Sequence, residues 1–191
     1  MNSANVLFAG FGGHGMLLAG KLLAMAAVED KREVSWLPAY GAEMRGGTAN
    51  VTVCISDNTN KSPYIESPET VVAMNHQSLL KFGPKVKPGG SIIVNSTLVK
   101  ESFKRDDCVV FYLPAGDIAM ELSSIKSSNI VLLGAYIGLT NIVNYETVID
   151  VIKKQFGSKP KIVDGNIAAF SAGRDSAVEF INGTADKIVK D

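Results

Sequence analysis

The chain carries the stretch Val6-Leu7-Phe8-Ala9-Gly10-Phe11-Gly12-Gly13-His14-Gly15 close to its first residue. Its four leading apolar residues predict a buried strand, and the glycines at 10, 12 and 15 match the pattern G-x-G-x-x-G. The apolar residues 17–27 that follow predict a helix. A strand, a glycine turn and a helix in this order form an anion site, because free backbone N–H groups and the helix dipole face the turn.

Composition limits the classes of function. The chain has 191 residues, of which 46% are hydrophobic and 20% charged, as expected for a globular protein with a sizeable core. Nineteen basic residues balance nineteen acidic ones, so no positive field favours nucleic acid or a membrane surface as a partner. No apolar run is long enough to span a bilayer, and the first residues lack the basic part of a signal peptide, which together favour the cytoplasm.

The two cysteines, Cys54 and Cys108, fall in predicted strands and are expected to be buried, reduced thiols. Two cysteines cannot provide the four ligands of a [4Fe-4S] cluster. Any cluster that serves this protein is therefore expected in another chain.

Strand and helix patterns alternate along the chain. The predicted strands are 5–9, 34–37, 50–55, 71–74, 91–95 and 108–113. The predicted helices are 16–29, 77–82, 118–123, 130–142, 147–156 and 168–180. Pro38 is expected to end the second strand, and Asn129 to cap the helix at 130–142. This order predicts the α/β class: one three-layer Rossmann-like domain over residues 1–191, with a mostly parallel sheet.

Ligands of an open parallel sheet collect at the carboxyl ends of its strands. The segments that follow predicted strands are therefore expected to lie along one edge: the glycine turn, the loop 38–48, Asn75, Asn95-Ser96 and the segment 114–117.

A dinucleotide-binding domain is the obvious alternative for a glycine turn of this kind. Such domains place Asp or Glu at the end of the second strand to hold a ribose hydroxyl. Here that strand ends Ser35-Trp36-Leu37-Pro38, and the nearby acids Glu29, Asp30 and Glu33 all precede it. An NAD- or FAD-binding domain is therefore disfavoured.

A second unusual segment is Tyr40-Gly41-Ala42-Glu43-Met44-Arg45-Gly46-Gly47. Its glycines suit tight turns, and Arg45 offers a guanidinium fork to a carboxylate or phosphate. The residues alone leave two interpretations open: a rigid shelf for a ligand, or a local pairing of Glu43 with Arg45 that pins the loop.

These two glycine-rich segments, at this spacing, resemble the gamma subunit of 2-oxoacid:ferredoxin (acceptor) oxidoreductases, of the 2-oxoglutarate and 2-ketoisovalerate type. The resemblance covers most of the chain and continues through Leu18-Ala19-Gly20, Ala73-Met74-Asn75, Lys87-Pro88-Gly89-Gly90, Val94-Asn95-Ser96, the segment 129–135 and the segment 166–170. The family usually has glutamine where this chain has His14.

The resemblance implies a subunit of a complex that oxidatively decarboxylates a 2-oxoacid to an acyl-CoA and passes the electrons to ferredoxin. It implies alpha and beta subunits that bind thiamine diphosphate and magnesium, and a ferredoxin-like delta subunit that holds [4Fe-4S] clusters. This chain would hold no cofactor by itself and would lie on the coenzyme A side of the active site. It would be inactive alone.

The candidate cofactor-binding residues follow from the motifs and the resemblance together. They are Gly10, Gly12, Gly13, His14, Gly15, Tyr40, Gly41, Glu43, Arg45, Gly46, Gly47, Asn75, Asn95 and Ser96. The glycines at 10–15 either hold a coenzyme A phosphate or shape a tight turn. Asn75, Asn95 and Ser96 either cap helices or line the same edge, and His14 is expected to form hydrogen bonds rather than to act as an acid or base.

No nucleophile, base and acid form a recognisable catalytic set, so no catalytic residue is assigned. A free-standing nucleotide-binding module and an NAD-dependent oxidoreductase remain the alternatives. The sequence does not identify the 2-oxoacid, although the segment 40–47 favours 2-oxoglutarate or a branched-chain acid over pyruvate.

Overall fold

In the computed structural model of the chain, residues 3–41, 47–57, 64–122 and 124–188 are described, with side chains up to residue 183. Six strands form one sheet: β1 (Ala4–Phe11), β2 (Glu33–Tyr40), β3 (Thr48–Ser56), β4 (Thr70–Ala73), β5 (Ser91–Asn95) and β6 (Val109–Leu113). The helices are α1 (Met16–Glu29), α2 (His76–Phe82), α3 (Ala115–Leu122), α4 (Ser128–Thr140), α5 (Tyr145–Phe156) and α6 (Pro160–Ile188). A short 3₁₀ turn at Gly83–Lys85 follows α2, and another at Ile125–Ser127 precedes α4.

The strand order across the sheet is β2-β3-β1-β4-β5-β6. Strands β1, β4, β5 and β6 pair in parallel, whereas β3 is antiparallel to both β1 and β2. The predicted α/β class with a mostly parallel sheet is therefore confirmed. The antiparallel β3 lies between β1 and β2, which explains why 50–55 alternates in polarity instead of forming one apolar run.

The two faces of the sheet carry separate apolar cores. The larger core lies under α1, α3, α4, α5 and α6 and includes the edge-to-face pair Phe8–Tyr136, whose ring centroids are 5.9 Å apart. The smaller core lies under α2 and includes Leu7, Leu79 and Phe82. Burial on both faces accounts for the apolar runs of β1, β4 and β5.

The second strand is longer than its sequence pattern indicates. Pro38 was expected to end it, but β2 continues to Tyr40, with Pro38 opposite Val51 of β3. The expectation was wrong because β2 is an edge strand, where a residue without an N–H group leaves no ladder bond unmade. Of the predicted loop 38–48, residues 42–46 lie outside the described residues.

The helices also differ from their predicted limits. Helix α3 begins at Ala115, inside the segment expected to be a loop, and α6 extends well beyond 168–180 in both directions. Asn129 does not cap α4: the capping position is Ser127, and Asn129 lies inside the first turn. Cys54 is buried as expected, whereas Cys108 precedes β6 and is only half-buried.

Candidate functional site

The segments that follow the strands meet along one edge of the sheet. The carboxyl ends of β1, β4, β5 and β6 lie there because these strands are parallel. Strand β2 runs in the same direction as β1, since both are antiparallel to β3, so the end of β2 and the start of β3 reach this edge as well. The glycine turn, the end of β2, the start of β3, Asn75 and Asn95 therefore lie along the same edge.

Residues 12–15 form the turn between β1 and α1. Gly13 has φ +94° and Gly15 has φ +74°, so both have the left-handed conformation that glycine adopts most readily. Gly10 precedes the turn and is buried, and a Cβ on it would lie 3.1 Å from atoms of His14, Met16 and Met74. The turn is thus tight on its sheet side and open on its solvent side, where nothing lies within 4 Å of a Cβ built on Gly13.

His14 closes the turn through two hydrogen bonds with Phe11. Its Nδ1 accepts a hydrogen bond of 3.2 Å from the Phe11 N–H, and its own N–H donates to the Phe11 carbonyl over 3.1 Å. Partial burial lowers the pKa of His14 from its ordinary value, because desolvation disfavours the imidazolium. The neutral ring is the form that accepts at Nδ1, so His14 acts as a hydrogen-bonding group in this geometry.

The turn is also held from a distant helix. The Asn129 Nδ2 in α4 donates to the Gly15 carbonyl over 2.8 Å, and Asn129 is 2% exposed. A Cβ on Gly15 would lie 2.6 Å from this Nδ2, so both the backbone conformation and the contact require glycine. This role of Asn129 cannot be predicted from the sequence, since the two residues are 114 positions apart and no local pattern joins them.

Part of the turn remains able to bind an anion. The N–H groups of Phe11, Gly12 and His14 have partners within the protein. Those of Gly13 and Gly15 have none among the described residues, and they lie directly before the amino end of α1. Two unpartnered N–H groups at a helix amino end, with no acidic residue in the first turn, suit a single phosphate.

The β2–β3 hairpin covers one side of the turn. The Gly12 N–H donates to the Gly47 carbonyl over 3.0 Å, and the Gly41 N–H donates to the Thr48 carbonyl over 2.7 Å. Tyr40 ends β2 with 72% of its surface exposed. Glu43, Arg45 and Gly46 lie outside the described residues, so their predicted roles stay predictions.

The asparagines of the edge have mixed roles. Asn75 caps α2, because its Oδ1 accepts from the Ser78 N–H over 2.9 Å, while its buried Nδ2 has no partner among the described residues. The Oδ1 of Asn95 accepts from the Thr97 N–H over 3.2 Å, and its Nδ2 contacts the Met74 Sδ at 3.0 Å. Capping explains the oxygen of Asn75. The predicted capping role is wrong for Asn95, because residues 96–98 form a turn and no helix begins there. The Asn75 Nδ2 is buried, so it offers no exposed donor at the edge.

Within the described ranges, no three His, Cys, Asp or Glu side chains lie close enough together to hold a metal ion. No helix in the same ranges is long and apolar enough to cross a membrane. The groups that the described edge offers to an anion are the unpartnered N–H groups of Gly13 and Gly15.

Comparison with known proteins gives a consistent family match. Residues 5–176 match the family described as pyruvate ferredoxin/flavodoxin oxidoreductase. The chain is 39% identical over 180 residues to the ketoisovalerate oxidoreductase subunit VorA of Methanothermobacter thermautotrophicus, covering 93% of this chain and 37% of that protein. It is 35% identical over 181 residues to the 2-oxoglutarate synthase subunit KorC of Methanothermobacter marburgensis, covering 91% of this chain and 96% of that protein.

Two solved structures share the fold. One is the gamma subunit of a keto/oxoacid ferredoxin oxidoreductase from Geobacter sulfurreducens, with a TM-score of 0.80, 27% identity, and coverage of 92% of this chain and 99% of that one. The other is a 2-oxoglutarate:ferredoxin oxidoreductase from Magnetococcus marinus with 2-oxoglutarate, coenzyme A and succinyl-CoA bound. It has a TM-score of 0.85 and 25% identity, and the match covers 93% of this chain and 31% of that one. The chain thus spans about a third of the VorA and Magnetococcus chains, at 37% and 31%, and nearly all of KorC, at 96%.

Proposed function

Because this chain belongs to the pyruvate ferredoxin/flavodoxin oxidoreductase family, we propose that it works as the gamma subunit of a multi-subunit 2-oxoacid:ferredoxin oxidoreductase. The complex would oxidise a 2-oxoacid to carbon dioxide and an acyl-CoA and pass two electrons to ferredoxin. Residues 1–191 would form one gamma-type domain. The observation that carries the proposal is the match to KorC over 96% of that subunit's length, since a chain of this size is a complete subunit there.

The role of this chain would be to bind coenzyme A and to shield the reacting centre. The unpartnered N–H groups of Gly13 and Gly15, at the positive end of α1, would hold one of its phosphates. The hydrogen bond from Asn129 would help to keep Gly15 in its left-handed conformation. Positioning of this kind lowers the barrier because the thiol no longer has to find its acceptor by diffusion.

The remaining chemistry is assigned to partners. Thiamine diphosphate and magnesium would be held by alpha and beta subunits, and [4Fe-4S] clusters by a ferredoxin-like delta subunit. The two cysteines of this chain do not fit a [4Fe-4S] cluster, because Cys54 lies buried in β3 and Cys108 lies beside the other edge strand, β6. The complex would work in the cytoplasm, without nucleic acid or membrane.

The substrate would be 2-oxoglutarate or a branched-chain 2-oxoacid. Relatives that act on ketoisovalerate and 2-oxoglutarate are 39% and 35% identical, whereas the pyruvate synthase subunit PorC of Methanothermobacter thermautotrophicus is 29% identical. This ranking favours the larger acids over pyruvate.

Affinity purification of the chain from its native host under strict anaerobiosis tests the proposal. We expect larger subunits to co-purify with thiamine diphosphate and iron, and the preparation to reduce an artificial electron acceptor when both a 2-oxoacid and coenzyme A are supplied. Activity assays with 2-oxoglutarate, 2-ketoisovalerate and pyruvate as separate substrates then identify the 2-oxoacid. A chain that purifies alone, or a complex whose turnover ignores coenzyme A, would contradict the proposal and favour a free-standing nucleotide-binding module.

A further inference from the structure

The two edge strands of the sheet differ in how they are protected from further pairing. Strand β2, at one edge, contains Glu33 and Pro38. A charge and a proline are common devices that keep an edge strand from pairing with another chain. Strand β6, at the other edge, has the sequence Val109-Val110-Phe111-Tyr112-Leu113, which contains neither. The residues of β6 itself therefore do not prevent a further strand from pairing with it.

The outer side of β6 presents backbone groups that lack partners. The Val109 N–H and the Leu113 carbonyl each form a hydrogen bond of 2.9 Å with a residue next to an end of β5, so both residues face β5. Because alternate residues of a strand direct their backbone groups to opposite sides, Val110 and Tyr112 direct theirs away from β5. The N–H and C=O groups of Val110 and Tyr112 have no hydrogen-bond partner among the described residues.

The surface around this edge is apolar. Val109 and Tyr112 are 46% and 37% exposed, and Ile181 of α6 is 41% exposed. A cavity of about 660 Å³ lies at the start of β6, and Val109, Phe180 and Ile181 form part of its wall. An uncharged edge strand flanked by exposed apolar side chains is a place where pairing with another strand is expected.

A second β6 strand matches this edge in one register. Antiparallel pairing about a two-fold axis at Phe111 places Val110 of each copy opposite Tyr112 of the other. Each of these two pairs exchanges two N–H···O=C hydrogen bonds, so all the outward groups are satisfied. An axis at Tyr112 would place Val110 opposite Pro114, which has no N–H to donate. An axis at Val110 would place Tyr112 opposite Cys108, whose N–H is already bonded within the protein.

Charge does not oppose contact between two copies. The chain has nineteen basic and nineteen acidic residues, so two copies have no net repulsion at neutral pH. Strand β6 is uncharged, so the register at Phe111 places no like charges opposite each other. Strands β4 and β5 separate β6 from β1, so no residue of the glycine turn takes part in the contact.

We propose that β6 is a homodimer interface, at which two copies of the chain pair in antiparallel fashion about Phe111. The two sheets then join into one continuous sheet, and the paired strands exchange the backbone hydrogen bonds that each β6 leaves unmade. Val109 and Tyr112 project from opposite faces of the strand, so the exposed parts of both should be covered. This inference does not depend on the proposed function, because it uses no residue of the candidate site.

Sedimentation equilibrium of the full chain at micromolar concentrations tests the proposal. We expect a monomer–dimer equilibrium. Val110→Pro removes an outward N–H and leaves the bonds to β5 in place, so it should weaken dimerisation by about 10- to 100-fold with an unchanged circular dichroism spectrum. Val109→Lys should also weaken it, and serves if the proline variant does not fold. Leu37→Lys on β2, at a side chain 42% exposed, adds the same charge at the other edge and should leave the dimer intact.

Cysteine cross-linking tests the register. In a Cys108→Ser background, Val110→Cys and Tyr112→Cys are prepared separately and then mixed under mild oxidation. We expect a disulfide-linked dimer from the mixture and from neither variant alone, because the paired Cα atoms would lie about 5.5 Å apart. Cross-linking of Val110→Cys alone would overturn the register at Phe111.

Three outcomes would overturn the homodimer itself. The first is a full chain that stays monomeric at micromolar concentrations. The second is a dimer that both Val110→Pro and Val109→Lys leave intact, since the contact would then lie elsewhere on the surface. The third is a strand of a different subunit found paired with β6 in the purified complex.

Discussion

Replacing Gly15 with alanine tests the physical description of the turn. Gly15 has φ +74°, and a Cβ there would lie 2.6 Å from the Asn129 Nδ2. The left-handed conformation costs an alanine about 1–2 kcal/mol, partly offset by about 0.4–1 kcal/mol from the lower entropy of the unfolded chain. The added methyl group also pushes the Asn129 amide away from the Gly15 carbonyl, which removes a buried hydrogen bond and costs about 1–3 kcal/mol more. The expected loss in unfolding free energy is about 2–4 kcal/mol.

Gly13→Ala is the matched control for this change. Gly13 has φ +94°, so an alanine there meets a similar backbone cost. No atom lies within 4 Å of its Cβ position, so no contact is lost. We expect Gly13→Ala to cost about 1 kcal/mol or less, because only the backbone cost and the entropic offset remain.

Urea and thermal unfolding of the two variants measure the difference. A gap of about 2 kcal/mol between them corresponds to about 4–8 °C in Tm for a chain of this size. In an Asn129→Ala background the gap should close, since the side chain that collides with the new methyl group is gone. Equal destabilisation by Gly13→Ala and Gly15→Ala in the unchanged background would refute the reasoning.

Three further changes test other parts of the fold. The pKa of His14 is lowered in the folded state, so the neutral imidazole stabilises the chain at pH values above the ordinary histidine pKa. This contribution is lost as the pH falls through the pKa of the folded state. His14→Gln should therefore remove that part of the pH dependence of unfolding, and an unaltered pH profile would contradict the prediction. Asn75→Ala removes the cap of α2 and should cost about 1 kcal/mol by urea unfolding, whereas Asn75→Ser should restore most of it. Gly134→Ala should prevent folding or lower Tm by about 10 °C or more, because its Cβ would collide with the Phe170 carbonyl of α6, and a near-normal Tm would show that the helices can separate.

Local patterns were sufficient to predict the strand, turn and helix around residues 6–29. Apolar periodicity fixes β1 and α1, and glycines at 13 and 15 permit the positive φ values that the turn contains. The same patterns failed at Pro38, because whether proline ends a strand depends on whether the strand lies at an edge. Strand order is a property of the whole sheet, so the sequence of a single segment does not show whether its strand lies at an edge.

The hydrogen bond from Asn129 to the glycine turn could not be predicted either, and the reason is related. A polar residue near a helix start is most simply interpreted as a cap, and only the packing of α4 against α1 places its amide beside Gly15. The packing of α4 against α6 depends in turn on Gly134 and Gly173, where the backbones approach too closely for a Cβ. Glycines inside helix patterns lower their predicted helicity, which explains why α6 was predicted to be shorter than it is.

The antiparallel strand β3 explains why this glycine turn is unsuited to a dinucleotide. In a dinucleotide-binding sheet the second strand lies beside the first, so its terminal acid can reach the ribose and the turn lies open to the pyrophosphate. Here β3 separates β1 from β2, and the Gly47 carbonyl accepts the Gly12 N–H that a pyrophosphate would otherwise use. Only the N–H groups of Gly13 and Gly15 remain, and they suit one phosphate rather than two. We therefore expect this order of strands to limit the glycine turn to one phosphate, which is what the proposed contact with coenzyme A requires.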